Sequence, residues 1–107
     1  MLIYPSHAML ERVLHFEDFG DKVGQTFTIA EDGYPATALT LTEAELLHTR
    51  VAPHTRPPFS LIFVAKDEHV LPQRLYRIEQ AVLGTIVLFL VPVGKDAGGV
   101  QYQALFN

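Results

Sequence analysis

Side-chain alternation with a period of two is the feature that most constrains how this chain can fold. Between residues 25 and 30, Phe27 and Ile29 fall on one side of the chain and two threonines fall on the other, as in a half-buried β-strand. Similar short runs recur, separated by turn residues. The predicted strands cover residues 25–30, 36–47, 59–65, 75–79, 85–91 and 100–106. They predict a mostly β fold, a small six-stranded antiparallel barrel or sandwich.

One short helix is predicted before the first strand. Phe16, Phe19 and Val23 share one face at helical spacing, and acidic residues in the first turn suit the positive end of a helix. Gly24 stands where a C-terminal cap belongs. The pattern allows two turns at most.

The second predicted strand loses its alternation near Thr42. The next apolar positions, Ala44 and Leu46, are one residue out of step with those before them. Two explanations remain open: a β-bulge, which inserts one extra residue, or a switch to helix, since Thr42 and Glu45 have the spacing of a capping box. The bulge is the preferred interpretation.

Length and composition indicate one folded domain. The chain has 107 residues, of which 49% are hydrophobic and 19% charged, so it can bury a core of its own. Pro5 and Ser6 interrupt any regular element near the start. We therefore expect residues 1–8 to be a loosely held extension and residues 9–107 to be a single β-rich domain.

The composition also argues against several function classes. There are no cysteines, which excludes disulfides and thiolate metal sites and suits a reducing compartment. A formal net charge of -4 disfavours nucleic acid as a partner, because phosphate binding needs surplus basic residues. No run is long and apolar enough to span a bilayer, and the start lacks the basic residues of a secretory signal. We expect a cytoplasmic protein without membrane contact.

No catalytic, metal or cofactor motif is recognisable. The five histidines are scattered, with no two within four residues of each other, so the sequence predicts no metal site. The two serines, Ser6 and Ser60, lie in the expected extension and inside a predicted strand, where neither could act as an exposed nucleophile. The expectation is a protein that is not an enzyme and that holds no cofactor.

A doubled tripeptide is the most distinctive local feature. His48-Thr-Arg50 and His54-Thr-Arg56 stand six residues apart, in a stretch with three prolines and no acidic residue. Prolines stiffen such a loop and keep it out of a sheet. The candidate contact residues for a protein partner are His48, Arg50, His54 and Arg56, and arginine favours an acidic surface.

Two functional hypotheses follow. In the first, the protein is an interaction or assembly module that also self-associates, as a homodimer or small ring, because an open edge beside residues 85–91 would invite pairing with another copy. In the second, a small β-barrel binds a ligand in an interior pocket. The residues predicted to line that pocket are Phe59, Phe63, Phe89 and Tyr102.

Several segments resemble a family of small uncharacterised bacterial domains. They are EDF at 17–19, VGQTF at 23–27, LPQ at 71–73, LG at 83–84, LFLVPVG at 88–94, and Tyr102 with the final Phe106-Asn107. The resemblance covers the chain from about Met9 and implies no known activity, ligand or site residue. The family is similar to products encoded near phage-tail-like fibre proteins, which implies an assembly or adaptor role.

Overall fold

The computed structural model describes residues 13–47 and 56–107, which form a short helix followed by six strands. In chain order the elements are α1 (Glu17–Gly20), β1 (Thr26–Ile29), β2 (Thr37–Leu46), β3 (Phe59–Ala65), β4 (Arg74–Gln80), β5 (Gly84–Asp96) and β6 (Gly99–Phe106). Every strand predicted from the alternation is present. The predicted extension at residues 1–8 lies outside the described residues.

The six strands form one antiparallel sheet that closes in a ring. The order around the ring is β1, β2, β3, β6, β5, β4, and β4 pairs again with β1. The mostly β prediction is therefore confirmed, and the sheet closes on itself rather than splitting into two layers. The inward side chain of every second residue fills the ring, which explains why alternation was so clear in the sequence.

β2 contains the bulge that its broken alternation predicted. Its register against β3 shifts between Leu41 and Glu43, so Thr42 is the extra residue. The Thr42 hydroxyl donates a hydrogen bond of 3.1 Å to the carbonyl of Ile62 on β3. The alternative of a helix beginning at Thr42 is wrong, because the strand continues with its new phase to Leu46.

The helix α1 covers one end of the ring. Phe19 is fully buried, and its ring centroid lies 6.1 Å from that of Phe27 and 6.0 Å from those of Phe59 and Phe106. The helix ends at Gly20, so Val23 does not share the buried face as predicted and is 50% exposed. No helix within 13–47 and 56–107 is long and apolar enough to cross a membrane.

β5 is longer than the sequence predicted. Pro92 and Gly94 suggested an end to the strand near Val91, yet the strand continues to Asp96. The register against β6 shifts between Pro92 and Gly94, and such an irregularity accommodates a proline, which has no N–H to donate to the sheet.

Candidate interaction surface

β5 changes neighbours halfway along its length. Residues 84–90 pair with β4, from Gly84 opposite Gln80 to Leu90 opposite Arg74. Pairing with β6 begins only at Val91, which lies opposite Gln103. Beyond Gln103, β6 continues along β3 alone. Among the described strands, residues 84–90 of β5 therefore have a neighbour on one side only, and we call the other side the open β5 edge.

The hydrogen bonds of Arg77 show which way its main chain faces. The N–H of Ala30 donates to the carbonyl of Arg77 over 2.9 Å. The N–H of Arg77 donates to Oε2 of Glu31 over 2.8 Å. Both polar main-chain groups of Arg77 are thus directed toward β1 and away from β5.

This direction fixes which groups line the open β5 edge. Arg77 lies opposite Val87, and a residue pair whose main-chain groups face apart is the non-hydrogen-bonded type of an antiparallel ladder. Val87 consequently directs its N–H and C=O away from β4. Because the ladder repeats every two residues, Thr85 and Phe89 do the same. The open edge presents three N–H donors alternating with three carbonyl acceptors.

Three exposed apolar residues lie on the outer side of the sheet near this edge. Phe89 is 46% exposed and Leu75, opposite it on β4, is 47% exposed. Leu105 is 53% exposed and lies on β6 two residues beyond Gln103, the partner of Val91, which places it level with Phe89. We call Leu75, Phe89 and Leu105 the outer apolar row.

Charge is absent from the part of β5 that bears this edge. β5 carries no charged side chain from residue 84 to residue 94. The charges of the adjoining strand lie one strand away, where Arg77 and Glu79 face Val87 and Thr85. Sheets commonly protect an edge by placing lysine, other charges or proline on it. The open β5 edge has no such residue between Gly84 and Leu90.

Only one of the four predicted contact residues lies in the described part of the chain. His48, Arg50 and His54 are outside it. The guanidinium of Arg56 donates to the carbonyl oxygen of Leu14 over 2.7 Å and to that of Asn107 over 3.0 Å. Arg56 therefore stabilises the junction of the two ends of the described chain, and its role as a partner contact stays a prediction.

The four aromatic residues predicted to line an interior pocket do not face the same space. Phe59, Phe63 and Tyr102 are buried in the core. Phe89 faces outward, because the inward residues of this part of β5 are Ile86, Leu88 and Leu90, which are at most 1% exposed. The assignment of Phe89 to the interior was wrong.

Tyrosines and an arginine cluster at the end of the ring opposite α1. The guanidinium of Arg74 lies 5.2 Å from the ring centroids of both Tyr34 and Tyr76. A hydrogen bond with Tyr34 raises the pKa of Arg74, and burial raises the pKa of Tyr76. The hydroxyl of Tyr76 donates to the carbonyl of Pro72. The Tyr76 bond fastens the β3–β4 loop to the ring, and the contact between Arg74 and Tyr34 fastens the β1–β2 loop to it.

A surface cleft of about 580 Å³ lies beside the same end, between the β3–β4 loop and the β5–β6 turn. It is lined by Lys66, Asp67, Glu68, Lys95, Asp96, Ala97, Gly98 and Gly99. Nζ of Lys95 donates to the carbonyl of Glu68 over 2.8 Å, and Asp96 accepts from the N–H of Gly98 over 2.8 Å. Within the described residues, no group of three or more His, Cys, Asp or Glu is placed to hold a metal ion.

Sequence reasoning did not single out Leu75 or Leu105. A signal for Leu75 was available in the tight turn at Gly84, whose φ of 75° suits glycine. Antiparallel pairing through this turn places Leu75 opposite Phe89. Leu105 had no comparable signal, because its position depends on pairing between strands distant in sequence.

Comparison with known proteins identifies the family. Searches of curated proteins and of solved structures found no match. A family model described as "Domain of unknown function (DUF6916)" matches residues 14–106, a range that includes α1 and all six strands. The resemblance noted from the sequence motifs is thus confirmed, and the chain belongs to the DUF6916 family of domains of unknown function.

Proposed function

We propose that this protein is a non-enzymatic interaction module that binds a protein partner through the open β5 edge and the outer apolar row. The observation that carries the proposal is the edge of residues 84–90, which no other described strand pairs with on that side and which has no charged side chain. Unpaired main-chain donors and acceptors are a template for another strand. Binding by strand addition gains affinity from main-chain hydrogen bonds and specificity from alternate side chains.

The outer apolar row supports the same surface. Leu75, Phe89 and Leu105 are each about half exposed. Phe89 lies on the strand that bears the edge, Leu75 on β4 and Leu105 on β6. Single exposed apolar residues are common on folded proteins, but neighbouring ones beside an unpaired edge mark an interaction site. A strand added at the edge would bring its own outward side chains next to Phe89.

An assembly role agrees with the expectation that the family resemblance raised. An edge that accepts a strand is one recognised way for a protein to join an assembly. We therefore propose an accessory or adaptor of a phage-tail-like or fibre assembly as the setting of this interaction.

Photocrosslinking in the native host tests the proposed surface. A photoreactive phenylalanine analogue replaces Phe89 in one strain and Val23 in a control strain, since Val23 is 50% exposed but lies far along the chain from β5. We expect discrete covalent adducts from position 89 and none from position 23. Adducts at 89 should disappear when Thr85→Lys places a charge on the edge. Absence of adducts at 89, or adducts insensitive to Thr85→Lys, would contradict the proposal.

A further inference from the structure

We propose that Asp32 is a site of spontaneous covalent modification, at which aspartate rearranges to isoaspartate through a succinimide. The residue lies in the loop between β1 and β2, within the turn that the N–H of Tyr34 closes by donating to the carbonyl of Glu31. It is the only aspartate of the chain that is followed by glycine. Because glycine carries no side chain, the main-chain nitrogen after Asp32 is uncrowded.

The rearrangement needs no reactant other than water. The main-chain nitrogen of Gly33 attacks the side-chain carboxyl carbon of Asp32, and a C–N bond forms as the C–OH bond breaks. The proton of that nitrogen and the hydroxyl group leave together as water, which closes a five-membered succinimide ring. Water then adds to a ring carbonyl. Addition at the main-chain carbonyl gives isoaspartate, whereas addition at the side-chain carbonyl restores aspartate.

The carboxyl group of Asp32 is free to take part in this reaction. Each of the other four aspartates accepts a hydrogen bond from a nearby nitrogen: Asp18 from His15, Asp21 from Lys22, Asp67 from His69, and Asp96 from Gly98 and Gln101. Within residues 13–47 and 56–107, no group donates to Asp32. Its carboxyl group can therefore approach the nitrogen of Gly33 without first losing a hydrogen bond.

The nitrogen of Gly33 is also unobstructed. Its N–H makes no hydrogen bond within the described part of the chain. Gly33 has a φ of 85°, and no atom lies within 4 Å of the place where a Cβ would stand. Asp32 and Gly33 are both exposed, so water can reach the succinimide and the turn has space to rearrange.

The product changes a turn that is anchored on both sides. Isoaspartate lengthens the main chain by one carbon atom between Glu31 and Tyr34. Oε2 of Glu31 accepts a hydrogen bond of 2.8 Å from the N–H of Arg77, and the ring centroid of Tyr34 lies 5.2 Å from the guanidinium of Arg74. A longer turn must shift Glu31 or Tyr34, so modification of Asp32 weakens contacts that fix β4.

Ageing of the purified protein tests the site. The protein is kept in mildly acidic buffer, because the carboxyl oxygen leaves as water only when it is protonated. Mass spectrometry with electron-transfer fragmentation then locates isoaspartate. The matched control is Ala97→Gly, which gives Asp96 a following glycine in the β5–β6 turn. The carboxylate of Asp96 accepts hydrogen bonds from Gly98 over 2.8 Å and from Gln101 over 3.2 Å.

We expect isoaspartate to accumulate at Asp32 in the unaltered chain and at none of its other aspartates. In the folded Ala97→Gly variant, Asp96 should react about tenfold more slowly than Asp32, because its carboxylate must first lose its hydrogen bonds. In urea, where the fold and these bonds are lost, the two sites should react at similar rates.

Two outcomes would overturn the proposal. One is a folded protein that forms no isoaspartate at Asp32 over a period in which the urea-unfolded protein does. The other is equal reaction at Asp32 and Asp96 in the folded Ala97→Gly variant, since the aspartate–glycine sequence alone would then explain the reactivity. The first comparison uses only the unaltered chain, so it holds even if the Ala97→Gly variant fails to fold.

Discussion

Among the described strands, residues 42–46 of β2 and residues 84–90 of β5 each have a strand neighbour on one side only, and their sequences differ in how they protect that side. In β2, the main chain of Leu41 still bonds to Gly24 and Gln25, but residues 42–46 pair with β3 alone among the described strands. That stretch has a bulge and two exposed glutamates, Glu43 and Glu45. The open β5 edge, residues 84–90, has neither a bulge nor a charge.

The β2 stretch carries two features that oppose pairing with another strand, and the β5 stretch carries neither. A bulge disrupts the regular alternation of donors and acceptors, and like charges repel a second copy of the same strand. Both devices occur on β2, where pairing with another molecule is thereby disfavoured. Their absence from β5 separates the two edges by side-chain chemistry, although both expose main-chain groups.

The largest expected effect separates the two faces of β5. Leu88→Ala removes a side chain that is 1% exposed, and we expect the free energy of unfolding to fall by about 2 to 5 kcal/mol. Phe89→Ala removes one that is 46% exposed, and we expect a loss below about 1 kcal/mol together with weaker association. Urea denaturation at low protein concentration measures both. Equal losses would show that Phe89 belongs to the core.

Charging the open β5 edge should give it the protection that β2 already has. Thr85→Lys combined with Val87→Lys places two positive charges on the open β5 edge. We expect the dissociation constant of a strand bound at this edge to rise about 100-fold, since an unpaired charge buried in a contact costs several kcal/mol. Sedimentation measures the change, and Thr40→Lys with Val64→Lys on paired strands is the control. An unchanged constant would place the contact elsewhere.

Removing the charges from β2 should produce a smaller, opposite effect. In the background with lysines at 85 and 87, Glu43→Gln and Glu45→Gln should increase self-association only about tenfold, because the bulge still opposes pairing. Sedimentation detects the increase. Glu17→Gln with Asp18→Asn makes the same change of net charge away from the edge. Equal association in the two variants would show that net charge, rather than the edge, controls contact.

The smallest expected effect concerns the bulge. Thr42→Ala removes the 3.1 Å hydrogen bond from the Thr42 hydroxyl to Ile62. We expect the free energy of unfolding to fall by about 0.5 to 1 kcal/mol, since the bond is exposed to water. Thr40→Ala, an exposed threonine on the same strand, controls for the loss of β propensity. If both variants lose the same amount, the hydroxyl does not stabilise the bulge.

The strands were predictable from sequence because alternation is a local property. The slip after Thr42 even located the bulge, since one extra residue inverts the phase of those that follow. Residues 85–91 gave no such information, because every position except Thr85 is apolar and no phase can be read from a uniform run. Phe89 was consequently placed on the wrong face.

The candidate surface was predictable only in outline. An open edge near residues 85–91 was expected from counting strands. Which side of β5 is open depends on where its pairing partner changes from β4 to β6. The change occurs at Val91, which pairs with Gln103, and no local sequence pattern encodes that contact. The prediction that Val23 lies on the buried helix face was wrong for a related reason. The helix ends at Gly20, and the turn that follows buries Lys22 and exposes Val23.

The closed ring has a consequence for how fast the protein folds. Its closure brings together residues far apart in the chain: Gln25 and Gln80, separated by 55 positions, share a hydrogen bond of 2.8 Å. Arg56 likewise reaches Asn107, 51 positions later. Loops of this length must close before their contacts stabilise the native state, so the folding time should fall in the range of about milliseconds to seconds typical of β-barrels. During that interval the apolar strands are unpaired, and dilute conditions should favour correct refolding over aggregation.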